Sequence, residues 1–581
     1  MLQFHRVSHL VRWLFIGVLC LPVLAGAIGV LLPALGYFPA LGESTFSLAV
    51  FQRLWTVDHI AHMAWMSFFT GFIATAVATL SALCLLSAFY HQAWLHTIQR
   101  LLSPLLVLPH AAAAIALLFI LSPSGWLARV ASLFSQTVLP PQWSIPFDNS
   151  GITIIFALAL KELPFIFLMA LSVLSQPQMH TRITAYLKNA QAMGYAPVTA
   201  FLKCALPQLY PHLRLPVLAV LAYATANVEI PLILGSNNPP TLAVAVLQWF
   251  NHIELSMRFQ ASAAAVVQLM VTVVALITWR LVEYSAGRLL RHSMINTQRA
   301  QGARRVTLAA WLILVLFTFF AVTMVVSTLV WSFATFWPFP AVLPDGITLL
   351  HWQTALPALA EPVKNTLMLG AMVSVLAVIV ALLALEAEVS VLPKLGWQRQ
   401  RLEHSLLQLT LYLPLMVPGV AFLFGLVWFQ QRFFSGGIFP HVMLSHLVYV
   451  MPYVYISLAL PYRRLDPRYV KLAYSLGKSP GQVFWRVKMP LLFGPVLVAL
   501  GLGMAISFSQ YLPTLLSGGG RFATVTTEAV AVASGSSQRL SAVYVIVQAF
   551  MPIIVFALAW WLPGRLFNPA AHPRGQQSGV F

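Results

Sequence analysis

Long apolar runs, each closed by a short polar interval, repeat along the whole chain. They predict about twelve helices, near residues 13–36, 66–90, 103–122, 151–174, 214–235 and 260–282, then 307–333, 366–386, 407–429, 439–461, 491–516 and 541–563. A helix that crosses a bilayer needs about 20 largely apolar residues, and each run comes close to that. Barrel strands would instead show short segments alternating apolar and polar. The expected fold class is therefore all-α, a polytopic membrane protein.

The polar intervals carry a repeat. Lys188 to Pro207 reads KNAQAMGYAPVTAFLKCALP, and Lys471 to Pro490 reads KLAYSLGKSPGQVFWRVKMP. Aligned without a gap, with Gly194 on Gly477, the two stretches lie 283 residues apart, close to half the chain. Each follows about four spans and precedes two, so the chain divides into two parallel six-helix halves. Weaker echoes agree: LPHAAAAIALLF at 108–119 with VPGVAFLFGL at 417–426, and EIPLILG at 229–235 with YLPTLLS at 511–517. The domain reading is a first half 1–283 with its loop at 176–213, a basic linker 284–306, and a second half 307–581 with its loop at 462–490. Six is even, so both loops face one compartment.

Composition excludes a water-soluble fold. Of 581 residues 60% are hydrophobic and 8% charged, and the mean hydropathy is +0.83, where soluble domains carry about 25% charge. The net charge of +19 is topological. With the N-terminus inside, about 25 Lys and Arg fall on the cytoplasmic side and about seven outside, the positive-inside bias. Some attraction to anionic membrane lipid follows; a nucleic-acid partner does not. The first apolar run is longer than a signal-peptide core and reads as a retained helix. Cys20, Cys84 and Cys204 are isolated, which suits neither a disulfide framework nor a metal knuckle.

Within each repeated phrase a glycine precedes a proline by three: Gly194 and Pro197, Gly477 and Pro480. Glycine past a helix end adopts a left-handed conformation at little cost, and proline suits a first helical position. Ser479 is a suitable N-cap. Each phrase thus predicts helix, break, and a second short helix of about 15 Å, ended by Pro207 or Pro490. Phe201 matches Phe484, Leu202 matches Trp485 and Lys203 matches Arg486. An exposed short helix with an aromatic anchor suits a groove on another protein, although the same residues could rest on lipid heads. Two copies at matching places favour a partner with two grooves.

The phrase resembles the cytoplasmic-loop signature of ABC importer permeases, E-A-A, three variable residues, G, nine variable residues, I-x-L-P. Ala190 and Ala473 match the third residue, Gly194 and Gly477 the glycine, Pro207 and Pro490 the last proline; Lys188 and Lys471 stand where the family has glutamate. In span count and loop placement the chain most resembles the fused double permeases of the iron(III) and thiamine importer group. The resemblance implies that Ala190, Gly194, Pro197, Phe201, Lys203 and Pro207, with Ala473, Gly477, Pro480, Phe484, Arg486 and Pro490, couple the chain to two copies of an ABC ATPase subunit. It implies an external, periplasmic or extracellular, solute-binding protein and a multi-pass location in the bacterial inner membrane with both termini cytoplasmic. ATP and magnesium would belong to the ATPase, with no cofactor on this chain.

Other polar positions are few. Lys161 and Glu162 sit inside the fourth run and read either as path residues or as a structural pair, since charges at that depth are costly. Glu229 and Asn227, with Gln510 and Tyr511 at the corresponding place, are candidates for the translocation path. Asp58, His59 and His62 are too few for a metal site. Gly477-Lys478-Ser479 imitates the end of a phosphate loop, but Leu472 stands where that loop needs glycine. The triple glycine 518–520 reads as an outer turn, and no nucleophile-and-base set suggests catalysis. A secondary transporter of two parallel repeats and a membrane scaffold for cytosolic proteins are the rival readings.

Overall fold

The computed structural model describes residues 2–295, 302–391, 407, 410–433, 436–535 and 537–566. Among them the regular structure is helical, and the only extended pairings are single bridges between Phe38 and Glu43 and between Ala334 and Ile347. Among the described residues ten helices are long and apolar enough to cross a membrane, two fewer than the apolar runs predict. The missing two are interrupted. The run at 214–235 is split into Leu206–Thr225 and Glu229–Leu234, where Asn227 turns its side chain onto the Ile230 amide at 2.9 Å and Pro231 follows. The run at 407–429, partly outside the described residues, breaks at Pro418 into a short 3-10 turn, Gly419–Ala421, and a helix, Leu423–Phe433. Apolar composition alone does not register such breaks, because the residues on either side of them are as oily as the rest.

The described parts of the basic linker, 284–295 and 302–306, are helical apart from Gly302. Met257–Ile295 carries Arg288 and Arg291, and Ala303–Phe333 opens with Arg304 and Arg305; Arg299 lies outside the described residues.

The two halves repeat in register. Pro197–Ala200 corresponds to Pro480–Val483, a π-helical turn Phe201–Ala205 to Phe484–Lys488, Leu206–Thr225 to Met489–Phe508, and Leu242–Phe250 to Val525–Ala533. Each pair keeps the spacing of Gly194 and Gly477. Packing repeats as well. Gly71 lies against the Thr225 backbone and Gly370 against the Phe508 ring, so that a Cβ at either would overlap its neighbour. The Ser67 hydroxyl accepts the Leu242 amide at 3.0 Å and the Thr366 hydroxyl accepts the Val525 amide at 3.0 Å, each starting the corresponding helix.

In space the halves interlock. The leading helix Leu2–Ala34 packs on Leu423–Phe433 and Leu350–Val391 of the second half, and Ala303–Phe333 packs on Ile60–Phe89 and His110–Leu121 of the first. Gly26 meets Phe422, and Gly29 meets Gly425 with only 2.7 Å between its would-be Cβ and the facing Cα. Small residues let helices approach this closely in a membrane.

Candidate functional site

The repeated phrase folds the same way twice. Gly194 has φ +84° and Gly477 φ +72°, conformations glycine enters without strain. In the first copy the Tyr195 amide reaches back to the Ala190 carbonyl at 3.1 Å and the Gly194 amide to Gln191 at 2.9 Å. In the second, Lys478 reaches Ala473 at 3.1 Å and Gly477 reaches Tyr474 at 3.0 Å. These paired bonds close a helix end. Ala190 and Ala473 are the acceptors and both are buried, so a small side chain fits there. Ser479 caps the second short helix, its hydroxyl accepting from Gln482 while the Gln482 side chain accepts the Ser479 amide at 3.1 Å. Ala196 offers no such cap in the first.

Two expectations are corrected. Pro207 and Pro490 do not end a short helix: the chain passes through a π turn and continues as Leu206–Thr225 and Met489–Phe508. In the π turn the Leu206 amide bonds to Phe201, five residues back, and the proline after it sits at a helix start, where its missing N–H costs nothing. The aromatic anchors also differ from the reading. Phe201 is 1% exposed and packs on Tyr90, ring centres 5.4 Å apart. Phe484 is half-buried and stands edge-on to Trp485 at 5.3 Å, which is itself 68% exposed. Lys203 lies over the Tyr195 ring, and Arg486 is exposed.

Behind the second phrase lies a set of ion pairs that sequence reasoning missed. Lys488 donates to both Glu386 oxygens at 2.8 and 2.6 Å, and the Tyr462 hydroxyl shares Glu386. Arg463 pairs with Glu388 at 2.8 Å, and Tyr455 donates to the same carboxylate at 2.6 Å. Ala205 holds the place of Lys488 in the first half. Two acids closing an apolar run were the available signal.

A second polar cluster lies where helices break. Lys161 and Glu162 are 5% and 7% exposed, midway along Ile152–Leu174. Lys161 donates to the Leu105 and Leu106 carbonyls at 2.9 and 3.1 Å. These end the helix Trp94–Val107, which Leu108 and Pro109 interrupt, so the ammonium satisfies orphaned acceptors and the negative end of the helix. Glu162 instead meets His110 Nε2 at 3.1 Å. Glu229 interacts with the Tyr511 backbone amide and lies within electrostatic range of Lys161; its Oε2 is buried with no hydrogen-bond partner.

Tyr223, Tyr449 and Tyr511 lie within electrostatic range of Glu229, and Tyr453 within that of Glu162. Asn227 starts its own short helix, while Gln510 is half-buried beside Tyr511. The cluster thus draws Glu229 from one half and Tyr511 from the other. His110, Tyr223, Tyr449 and Tyr453 were not anticipated. Aligning Pro164 with Pro452 sets Tyr449 on Lys161, a register that points to Tyr449 but to none of the other three. Asp58, His59 and His62 are exposed, and among the described residues no three His, Cys, Asp or Glu are grouped to hold a metal.

Comparison with known proteins adds kinship. Residues 394–566 match the family described as binding-protein-dependent transport system inner membrane component. The chain is 28% identical over 547 residues to the inner membrane ABC transporter permease protein YnjC of Escherichia coli, covering 94% of each. It is 25% identical over 488 residues to the thiamine transport system permease protein ThiP of Haemophilus influenzae, covering 81% of this chain and 83% of that one. A shorter match, 35% identical over 138 residues, joins it to the molybdenum transport system permease protein ModB of Mycobacterium tuberculosis, covering 22% of this chain and 52% of that one.

Proposed function

From a multi-pass membrane chain related over nearly its whole length to ABC transporter permeases, we propose that it forms the translocation path of an ATP-driven importer and couples to two ATPase subunits through its two glycine-broken turns. The observation that carries this reading is their recurrence in one backbone form, each leading into a 20-residue helix that ends at the central break. Six spans to each half, the count the apolar runs predict, would separate the turns by an even number of crossings and put both on the basic side of the membrane.

Each turn is continuous with a helix that reaches the polar cluster, Leu206–Thr225 toward Glu229 and Met489–Phe508 toward Tyr511. Closure of two ATPases would move both turns together and shift the meeting of Glu229 with Tyr511. The shift needs nucleotide to bind the two states with different free energy. ATP and magnesium sit on the ATPase, and an external binding protein delivers the solute. Relatives named for a cargo carry different ones, thiamine and molybdenum, which suits a path that leaves selection to that delivery protein.

The test is Gly477→Pro. Proline cannot reach the positive φ of this position, so the turn is lost while the spans still insert. ABC ATPase recovered with the purified wild-type chain and absent from the variant supports coupling; equal recovery from both refutes it.

A further inference from the structure

The two turns share a backbone but not a surface. In the second copy Tyr469, Leu472 and Leu476 recur at helical spacing along Pro467–Ser475 and its end, and all are exposed, Leu472 at 60% and Leu476 at 68%. Trp485 and Tyr474 are exposed beside them. The matching positions of the first copy are Tyr186, Asn189, Met193, Leu202 and Gln191. Two of these are polar and Leu202 is half-buried, so of the five only Met193, 58% exposed, and Tyr186, 38% exposed, remain as exposed apolar side chains.

Part of this difference is sequence, Leu472 and Tyr474 standing where the first copy has Asn189 and Gln191; the rest is packing. Pro197–Ala200 is covered by Ala303–Phe333 and Ile60–Phe89, which buries Val198, Thr199, Ala200 and Phe201. In Pro480–Val483 only Val483 is buried.

An exposed apolar stripe of this kind marks a contact surface, and a large aromatic at its centre is the commonest source of binding energy. The Lys488–Glu386 and Arg463–Glu388 pairs close the spans on either side of the loop, so the stripe lies beyond the apolar layer along the chain. Independently, the family match covers residues 394–566, which include the second turn and not the first.

We propose that the two turns are unequal docking elements, and that the second, through Leu472, Leu476 and Trp485, holds most of the grip on the ATP-hydrolysing subunits while the first makes a lighter contact. This rests on the coupling reading above.

The test titrates the purified ATP-binding-cassette subunit, recovered with the wild-type chain from its own membranes, onto full-length variants in nanodiscs. Trp485→Ala and Leu476→Ser should each weaken binding by about tenfold or more, and Leu202→Ala and Met193→Ser by less than about threefold. Unchanged thermal midpoints check that the variants fold. Equal weakening by both sets overturns the inequality and leaves coupling standing. No weakening by any, or no such subunit with the wild type, overturns both. A loss that follows the anionic lipid content of the nanodisc rather than the added subunit assigns the stripe to lipid headgroups and overturns the proposal.

Discussion

Glu162 takes its hydrogen bond from the His110 ring at 3.1 Å and not from Lys161 beside it in the chain. Successive helix residues point about 100° apart and do not face each other. The adjacency KE therefore gives two separate interactions, one across to the helix His110–Leu121 and one to the end of Trp94–Val107. Both hold a broken helix at mid-depth, where an unpaired charge or carbonyl is expensive.

Lys161→Met should lower stability by about 3 kcal/mol, because two carbonyls lose their donor and two nearby carboxylates lose their counter-charge. Thermal unfolding of the detergent-solubilised chain measures this. An unchanged midpoint would show that the ammonium is not needed to hold the break.

Glu229→Gln keeps the size and a hydrogen-bonding oxygen but replaces the carboxyl group beside the Tyr511 amide with a carboxamide. Solute uptake in reconstituted vesicles should change at least several-fold while ATPase recovery stays at the wild-type level. Wild-type uptake kinetics would take Glu229 off the path.

Gly71→Ala and Gly370→Ala test the repeated packing. At Gly71 the obstacle is the Thr225 backbone, which cannot yield; at Gly370 it is the edge of the Phe508 ring, which can swing. The expected costs are about 2–3 kcal/mol and about 1 kcal/mol. The reverse order in melting would contradict the close approach at Gly71.

Asp148 precedes the span Ile152–Leu174 and accepts from the Ile152 amide at 2.6 Å, the Thr153 amide at 3.0 Å and the Ser150 hydroxyl at 2.7 Å. Burial pushes its carboxyl upward, but the bonds from Thr153, Ser150 and Ile152 outweigh it and hold the group below its ordinary range. A lowered value means the ionised form is stabilised by folding, so the contribution is present at neutral pH and lost as pH falls through the folded value. The melting difference between wild type and Asp148→Asn should be positive at pH 7 and shrink below about pH 4. A difference constant with pH would rule out the charge as its source.

Much of this protein is local in origin and was legible in the chain. Runs of apolar residues set the helical, membrane-crossing class. Gly194 and Gly477 mark left-handed helix ends, and Ser479 with Pro480 marks a helix start, because these depend on the backbone freedom of single residues. The repeat placed the halves in register. What faces what was decided by tertiary structure. Phe201 and Phe484 occupy one position in the repeat, yet Tyr90 covers the first while the second stays half-open. Lys161 was drawn to carbonyls that a distant proline had orphaned, and Glu229 found its partner in the other half. The sequence halves 1–283 and 307–581 are interlocked by their leading helices, the first of which closes on Phe422 and Gly425 through Gly26 and Gly29. Such contacts depend on which face each helix turns to its neighbours, and that angle is set by packing across hundreds of residues rather than by the residues nearby.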